Sequence, residues 1–143
     1  MTYKTFTTAQ EIFDHVVPLL FAQGQRSIGP NDLFAGEQCA YRGGKNGELR
    51  CAVGFLIPDE LYHEDLEGRD VMSTAVTSVL KHVIPEALLR FDGLGVILND
   101  LQEAHDCWET GEEVDLYNML WRIANRHNLE LTALSNHNRG DHA

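Results

Sequence analysis

The chain has 143 residues, a length typical of a single domain with one hydrophobic core. Hydrophobic residues make up 43% and charged residues 23% of the sequence, which is ordinary for a globular protein and excludes disorder along the whole chain. The formal net charge is −11, whereas a nucleic-acid-binding protein presents a basic face, so no direct contact with nucleic acid is expected.

Segments for export or membrane insertion are not evident. The first eight residues lack the apolar stretch of a signal peptide, and the longest apolar run, Val16 to Ala22, is too short to span a bilayer. Three cysteines, an odd number, favour reduced thiols over a disulfide scaffold. These features predict a cytoplasmic protein that contacts no membrane and carries no cofactor.

The first predicted element is a helix with a marked start and end. Thr8-Ala-Gln-Glu11 has the pattern of a capping box. Gly24 is suited to the position just after the last turn. Pro18 lies inside the run and predicts a kink or a local break. The apolar stripe of helical period comprises Ile12, Phe13, Val16, Val17 and Leu20.

A β-hairpin is predicted next. Gln38-Cys-Ala-Tyr-Arg42 and Glu48-Leu-Arg50 flank Gly43-Gly-Lys-Asn-Gly47, a loop of residues that tolerate positive φ. Symmetrical closure of this loop would place Cys39 opposite Cys51, and a one-residue slip would separate them.

Helices are predicted for the rest of the chain. Cys51-Ala-Val-Gly-Phe-Leu-Ile57 is expected to form a short buried helix in which Gly54 permits close packing. Further helices are predicted over Asp59 to Tyr62, Asp70 to Val83 and Leu94 to Trp108. The predicted buried face of the helix over 94–108 comprises Ile97, Leu98, Leu101, Ala104 and His105.

The last predicted helix starts at a second capping box, Thr110-Gly-Glu-Glu113. Its predicted core face comprises Val114, Tyr117, Leu120, Trp121 and Ala124. The chain is therefore expected to be an α+β protein, mainly helical, with about five helices packed around one small β-hairpin. Residues 1–134 are expected to form a single domain and residues 135–143 a flexible polar tail.

Negative charge is concentrated in two blocks. The first comprises Asp59, Glu60, Glu64, Asp65, Glu67 and Asp70. The second comprises Asp100, Glu103, Asp106, Glu109, Glu112, Glu113 and Asp115, and no lysine or arginine lies between Arg90 and Arg122. Such blocks indicate either a solvated surface that aids solubility or a face that meets a basic partner. The candidate partner-binding residues are Asp59, Glu60, Glu64 and Asp65, together with Tyr41 and Arg42 beside the glycine loop.

The cysteines and histidines suggest two chemical sites, one catalytic and one for zinc. Cys51, at the start of the helix expected over residues 51–57, and His105 are the catalytic candidates, since a helix N-terminus lowers a thiol pKa. The corresponding candidates for zinc ligands are Cys39 and Cys51 together with one or two of His63, His105 and Cys107. Buried thiols explain these cysteines better, because Cys51 lies in an apolar run and the spacing from Cys39 is too long for a zinc knuckle.

Three segments resemble a family of small uncharacterised proteins of bacteria and of phages or prophages. They are Cys39-Ala-Tyr-Arg-Gly43, Cys51-Ala-Val-Gly-Phe-Leu-Ile-Pro-Asp-Glu-Leu-Tyr62 and Leu101-Gln-Glu-Ala-His-Asp106. The likeness covers about residues 9–129 and brings no enzymatic activity with it. It implies a mobile-element setting, in which small acidic proteins often bind and block host proteins.

The expected function is therefore binding through an acidic face, with a basic protein surface as the partner. A nucleic-acid-binding component of host defence is one such partner. A cysteine- or metal-dependent enzyme built on Cys51, Cys39 and His105 is the alternative from another class, and a small-ligand pocket beside the hairpin is a third. The oligomeric state is not indicated.

Overall fold

The computed structural model describes residues 4–27, 40–43, 47–69, 71–89, 94–107 and 113–131, with the backbone alone at residues 106, 107, 113 and 114. Its α-helices are α1 (Ala9–Gln23), α2 (Thr74–Leu80), α3 (Leu94–Cys107) and α4 (Glu113–Arg126). Three single turns of 3-10 helix, Val53–Leu56, Asp59–Leu61 and Glu64–Leu66, lie between α1 and α2. The prediction of a mainly helical chain is confirmed. The α+β class is wrong, because the described residues hold four α-helices and no strand.

A single antiparallel bridge stands where the hairpin was predicted. Gly43 and Leu49 exchange two backbone hydrogen bonds, of 2.9 and 3.1 Å. If this register continued, Cys51 would lie opposite Tyr41 and not opposite Cys39. Cys39 itself lies outside the described residues.

The pairing stops because a backbone donor that the ladder needs is bound to a side chain instead. The N–H groups of Tyr41 and Arg42 both donate to the carboxylate of Glu67, at 2.9 Å each. On the returning segment, the N–H of Arg50 donates to the side-chain oxygen of Gln23 at 2.9 Å. In the register of the bridge, Tyr41 and Cys51 would form the next hydrogen-bonded pair, whereas the N–H groups of Arg42 and Arg50 would point away from the facing segment. Because Glu67 takes the N–H of Tyr41, that pair does not form and the chain turns back here without a hairpin.

The expected start and end of α1 are confirmed. The Thr8 hydroxyl accepts from the N–H of Glu11 at 3.1 Å, while the Glu11 carboxylate accepts from the N–H of Thr8 at 3.2 Å. Gly24 ends the helix with φ of 70° and donates its N–H to the carbonyl of Leu20. The sequence predicted a kink or a local break at Pro18. The helix continues through Pro18, so there is no local break.

The core lies where α1, the turn Val53–Leu56, α3 and α4 meet. The predicted buried face of α3 is confirmed at all five positions. On α4, Tyr117, Leu120 and Ala124 are buried as predicted, but Trp121 is 40% exposed and Leu116 and Ile123 are buried instead. The buried face of α4 is therefore centred near Leu120 and is rotated relative to the predicted face, which included Trp121. Val114 is described by its backbone alone, so its predicted burial is not addressed.

The elements between the 3-10 turns and α3 are shorter than predicted. α2 begins only at Thr74, since the Ser73 hydroxyl caps it by accepting from the N–H of Val76 at 3.3 Å. The predicted helix over Asp59 to Tyr62 is the 3-10 turn Asp59–Leu61, preceded by Pro58. The predicted cap at Thr110 and the tail over 135–143 lie outside the described residues.

No helix in the described part of the chain has the length and apolar character needed to cross a membrane.

The short buried helix predicted within residues 51–57 is present as the 3-10 turn Val53–Leu56, and Gly54 has the predicted role. A Cβ atom at this position would overlap the backbone carbonyl oxygen of Tyr41. Replacing Gly54 by Ala is therefore expected to lower the free energy of unfolding by about 1–3 kcal/mol, since the backbone must move to admit the methyl group. Urea denaturation measures this change, and an unaltered midpoint would mean that the two backbone segments are not in contact.

Candidate functional site

The acidic segment, defined here as residues 59–65, contains the 3-10 turn Asp59–Leu61 and the start of the turn Glu64–Leu66. Each of its four carboxylates, from Asp59, Glu60, Glu64 and Asp65, belongs to an exposed residue. The side chain of Asp65 is 85% exposed. A 3-10 helix has three residues per turn, and the third residue of each turn, Leu61 or Leu66, packs on the core while the two acidic residues before it are exposed. The segment contains no lysine or arginine to offset them.

Only one of these four carboxylates is neutralised within the described structure. Asp59 Oδ1 lies 2.9 Å from Arg42 Nη2 and 3.5 Å from Arg50 Nη2. The carboxylates of Glu60, Glu64 and Asp65 form no ion pair with a lysine or arginine among the described residues. An exposed histidine nitrogen lies 3.9 Å from the Asp65 carboxylate, and Arg69 Nε donates to the backbone carbonyl of Asp65 at 2.9 Å, not to its side chain. Three exposed carboxylates of the acidic segment are therefore without an ion pair to a lysine or arginine of the described structure.

The Arg42 side chain holds the base of the acidic segment. It is only 7% exposed, contrary to the expectation of an exposed contact residue. Its Nη1 donates to the carbonyl of Gly54 at 2.9 Å and its Nη2 to that of Ile57 at 2.8 Å. The guanidinium also lies 4.8 Å from the centre of the Tyr62 ring, within the range of a cation–π contact. Burial, and secondly the nearby charge of Arg50, lower the pKa of Arg42.

The Glu67 carboxylate holds the other side of the segment. Besides the N–H groups of Tyr41 and Arg42, it accepts from the hydroxyl of Tyr62 at 2.7 Å. Burial, followed by this bond to Glu67, raises the pKa of Tyr62 above its usual range. The Tyr41 hydroxyl donates to the carbonyl of Arg69 at 2.7 Å, and the Tyr41 residue is buried rather than exposed as expected. Tyr41 and Arg42 therefore position the acidic segment from beneath and do not extend its surface.

The second acidic block is partly neutralised by basic residues near the end of α4, far from Asp100 in the sequence. Asp100 Oδ2 accepts from Arg126 Nη1 at 3.1 Å and from His127 Nε2 at 2.7 Å. Glu103 and Asp115 are exposed. The side chains of Asp106, Glu109, Glu112 and Glu113 are not among those described. The described part of this block is thus less uniformly negative than the acidic segment.

The two candidate catalytic residues are inside the core. Cys51 is 1% exposed. His105 is fully buried, and its Nε2 accepts from the backbone N–H of Ser27 at 2.9 Å, so that nitrogen carries no proton. The Ser27 hydroxyl in turn donates to the carbonyl of Ala40 at 2.7 Å. Both side chains are therefore enclosed in the core and not presented at the surface.

The candidate zinc ligands are not brought together among the described residues. No group of three or more histidine, cysteine, aspartate or glutamate side chains there is arranged to hold a metal ion. His63 is exposed on the acidic segment, whereas Cys51 is buried. Cys39 lies outside the described residues, and of Cys107 only the backbone is described.

Sequence reasoning missed the residue that organises the site. Glu67 was counted only as one member of the first acidic block, although three donors converge on its carboxylate. No local pattern links Glu67 to Arg42, because 25 residues separate them and only the fold brings them together. Comparison with known proteins adds no assignment, since no family model, curated protein or solved structure matches the chain.

Proposed function

We propose that this protein acts by binding, and that its acidic segment docks onto a basic surface of a partner protein in the cytoplasm. One observation carries the proposal: the carboxylates of Glu60, Glu64 and Asp65 are exposed and form no ion pair with any lysine or arginine that the structure describes, on a segment held by Arg42 and Glu67. A segment fixed in this way does not have to be ordered when the partner binds, which lowers the entropic cost of association.

The partner class follows from charge. A row of exposed carboxylates is complementary to a lysine- and arginine-rich patch, and proteins that bind nucleic acid carry such patches. We therefore propose a nucleic-acid-binding protein as the partner, blocked by occupation of its basic face. The sequence resemblance stated above supports a host defence protein as one such target of a mobile element.

The test is capture of partners from lysate by three forms of the protein, at low and at high salt. The wild type is expected to retain a basic protein at low salt and to release it at high salt. The triple variant E60K/E64K/D65K is expected to retain none, because the docking charges are reversed. Asp59 is left intact in it, since this carboxylate pairs with Arg42 and its loss would disturb the fold as well.

A matched control separates the acidic segment from net charge. Glu86, Asp115 and Glu130 are also exposed, and they lie on other parts of the surface. The variant E86K/D115K/E130K changes the net charge by the same amount and is expected to capture the same partner as the wild type. Retention of that partner by E60K/E64K/D65K at low salt would overturn the proposed interface.

A further inference from the structure

A groove of about 270 Å³ runs between α3 and α4, on a part of the surface that the proposed function does not use. Its apolar lining comes from Ala104 of α3 and from Met119 and Ile123 of α4. Charged residues from both helices complete it. This combination of an apolar floor with a few polar groups is typical of small-molecule sites, although the groove is slightly smaller than their usual size.

The charges of the groove divide into a paired and an unpaired set. Asp100 and Arg126 form an ion pair of 3.1 Å and neutralise each other. Glu103 of α3 and Arg122 of α4 also line the groove, but neither side chain makes a hydrogen bond or an ion pair with any described residue. A carboxylate and a guanidinium thus stand available on opposite walls, above one apolar floor.

We infer that this groove binds a small zwitterion with an apolar side chain, of the chemical class of a free aliphatic amino acid. The ligand carboxylate pairs with Arg122, its ammonium group pairs with Glu103, and its side chain covers Met119 and Ile123. A simple fatty carboxylate matches the arginine but is repelled by Glu103, and an aliphatic amine has the reverse mismatch. Only a ligand with both charges complements both walls.

The methionine methyl groups provide a direct probe. The chain contains three methionines, of which Met119 lines the groove and Met72 does not. In protein labelled with ¹³C at the methionine methyls, titration with L-leucine is expected to shift the Met119 resonance saturably and to leave Met72 in place. Two matched ligands, 4-methylpentanoate and 3-methylbutylamine, each lack one of the charges and are expected to bind about two- to fivefold more weakly, as for charge pairs that water still reaches.

Two conservative variants assign the charges. E103Q is expected to remove the preference for leucine over 4-methylpentanoate, and R122Q the preference for leucine over 3-methylbutylamine. Both residues are exposed, and an unchanged Met72 resonance shows that each variant is folded. The inference is overturned if leucine at its solubility limit leaves the Met119 resonance unmoved. It is also overturned if the singly charged ligands bind as tightly as leucine, or if neither variant alters the order of affinities.

Discussion

Replacing Leu120 by Ala is expected to lower the free energy of unfolding by about 2–5 kcal/mol, the largest stability change anticipated for this chain. Leu120 is fully buried at the centre of the inward face of α4, in the cluster that α1, α3 and α4 share. Removing its branched end takes away transfer free energy and leaves a cavity that close-packed neighbours fill only in part. Denaturant titration followed by circular dichroism measures the loss.

Trp121 is the matched control, because it neighbours Leu120 on the same helix but is 40% exposed. Trp121→Ala removes a larger side chain, yet much of it already lies in water, so its loss is expected to cost less than Leu120→Ala. If the tryptophan variant proved the less stable of the two, the face of α4 would be the one first predicted from the sequence, and the observed helix rotation would be wrong.

Replacing Glu67 by Ala is expected to cost about 2–4 kcal/mol, the second largest effect. The substitution strands the N–H groups of Tyr41 and Arg42 and the hydroxyl of Tyr62, all of which donate to this carboxylate. A hydrogen bond to a charged group contributes about 1.5–3 kcal/mol, and the three bonds are not additive because they share one acceptor. Thermal or urea unfolding measures the change.

Glu64→Ala serves as the control for Glu67→Ala. Glu64 belongs to the same region but is exposed and makes no hydrogen bond through its side chain with the described residues, so its removal is expected to alter stability by less than about 0.5 kcal/mol. Equal losses in the two variants would mean that the carboxylate of Glu67 does not hold the acidic segment in place.

The helices were predictable where their signals are local. Thr8 and Glu11 lie three residues apart and satisfy each other's backbone, and Gly24 alone can take the left-handed conformation without strain. The buried face of α3 followed in the same way from its 3.6-residue period. On α4 the same method predicted a core face that wrongly included Trp121 and omitted Leu116 and Ile123. Large apolar side chains occur on more than one side of this helix, so the period alone does not show which side faces the core.

The hairpin was not predictable, because the outcome depends on distant acceptors. The glycine loop and its flanks fit a hairpin, and the Gly43–Leu49 bridge shows that the chain does reverse direction there. Glu67 nevertheless takes the N–H of Tyr41, which the next pair, Tyr41 with Cys51, would need. The residues around Glu67 in the sequence give no sign that it contacts this loop.

For the candidate site, too, local features were predictable and contacts between distant residues were not. The exposed carboxylates of the acidic segment were visible as a local excess of charge. The contacts that hold this segment in place were not predicted. Arg42 was expected at the surface, whereas its side chain donates to two backbone carbonyls beneath the segment. The pairing of Asp100 with Arg126 was also hidden, because α3 and α4 must pack together before these residues meet.

The most direct test of the acidic segment is the association rate with the captured partner, measured by stopped-flow fluorescence across a range of salt concentrations. The wild type is expected to associate fastest at low salt and to slow steeply as salt screens the attraction. E60K/E64K/D65K is expected to associate about tenfold more slowly at low salt and to lose that salt dependence, while E86K/D115K/E130K keeps the wild-type slope. If E60K/E64K/D65K associated as fast as the wild type, with the same salt dependence, the acidic segment would not be the docking face.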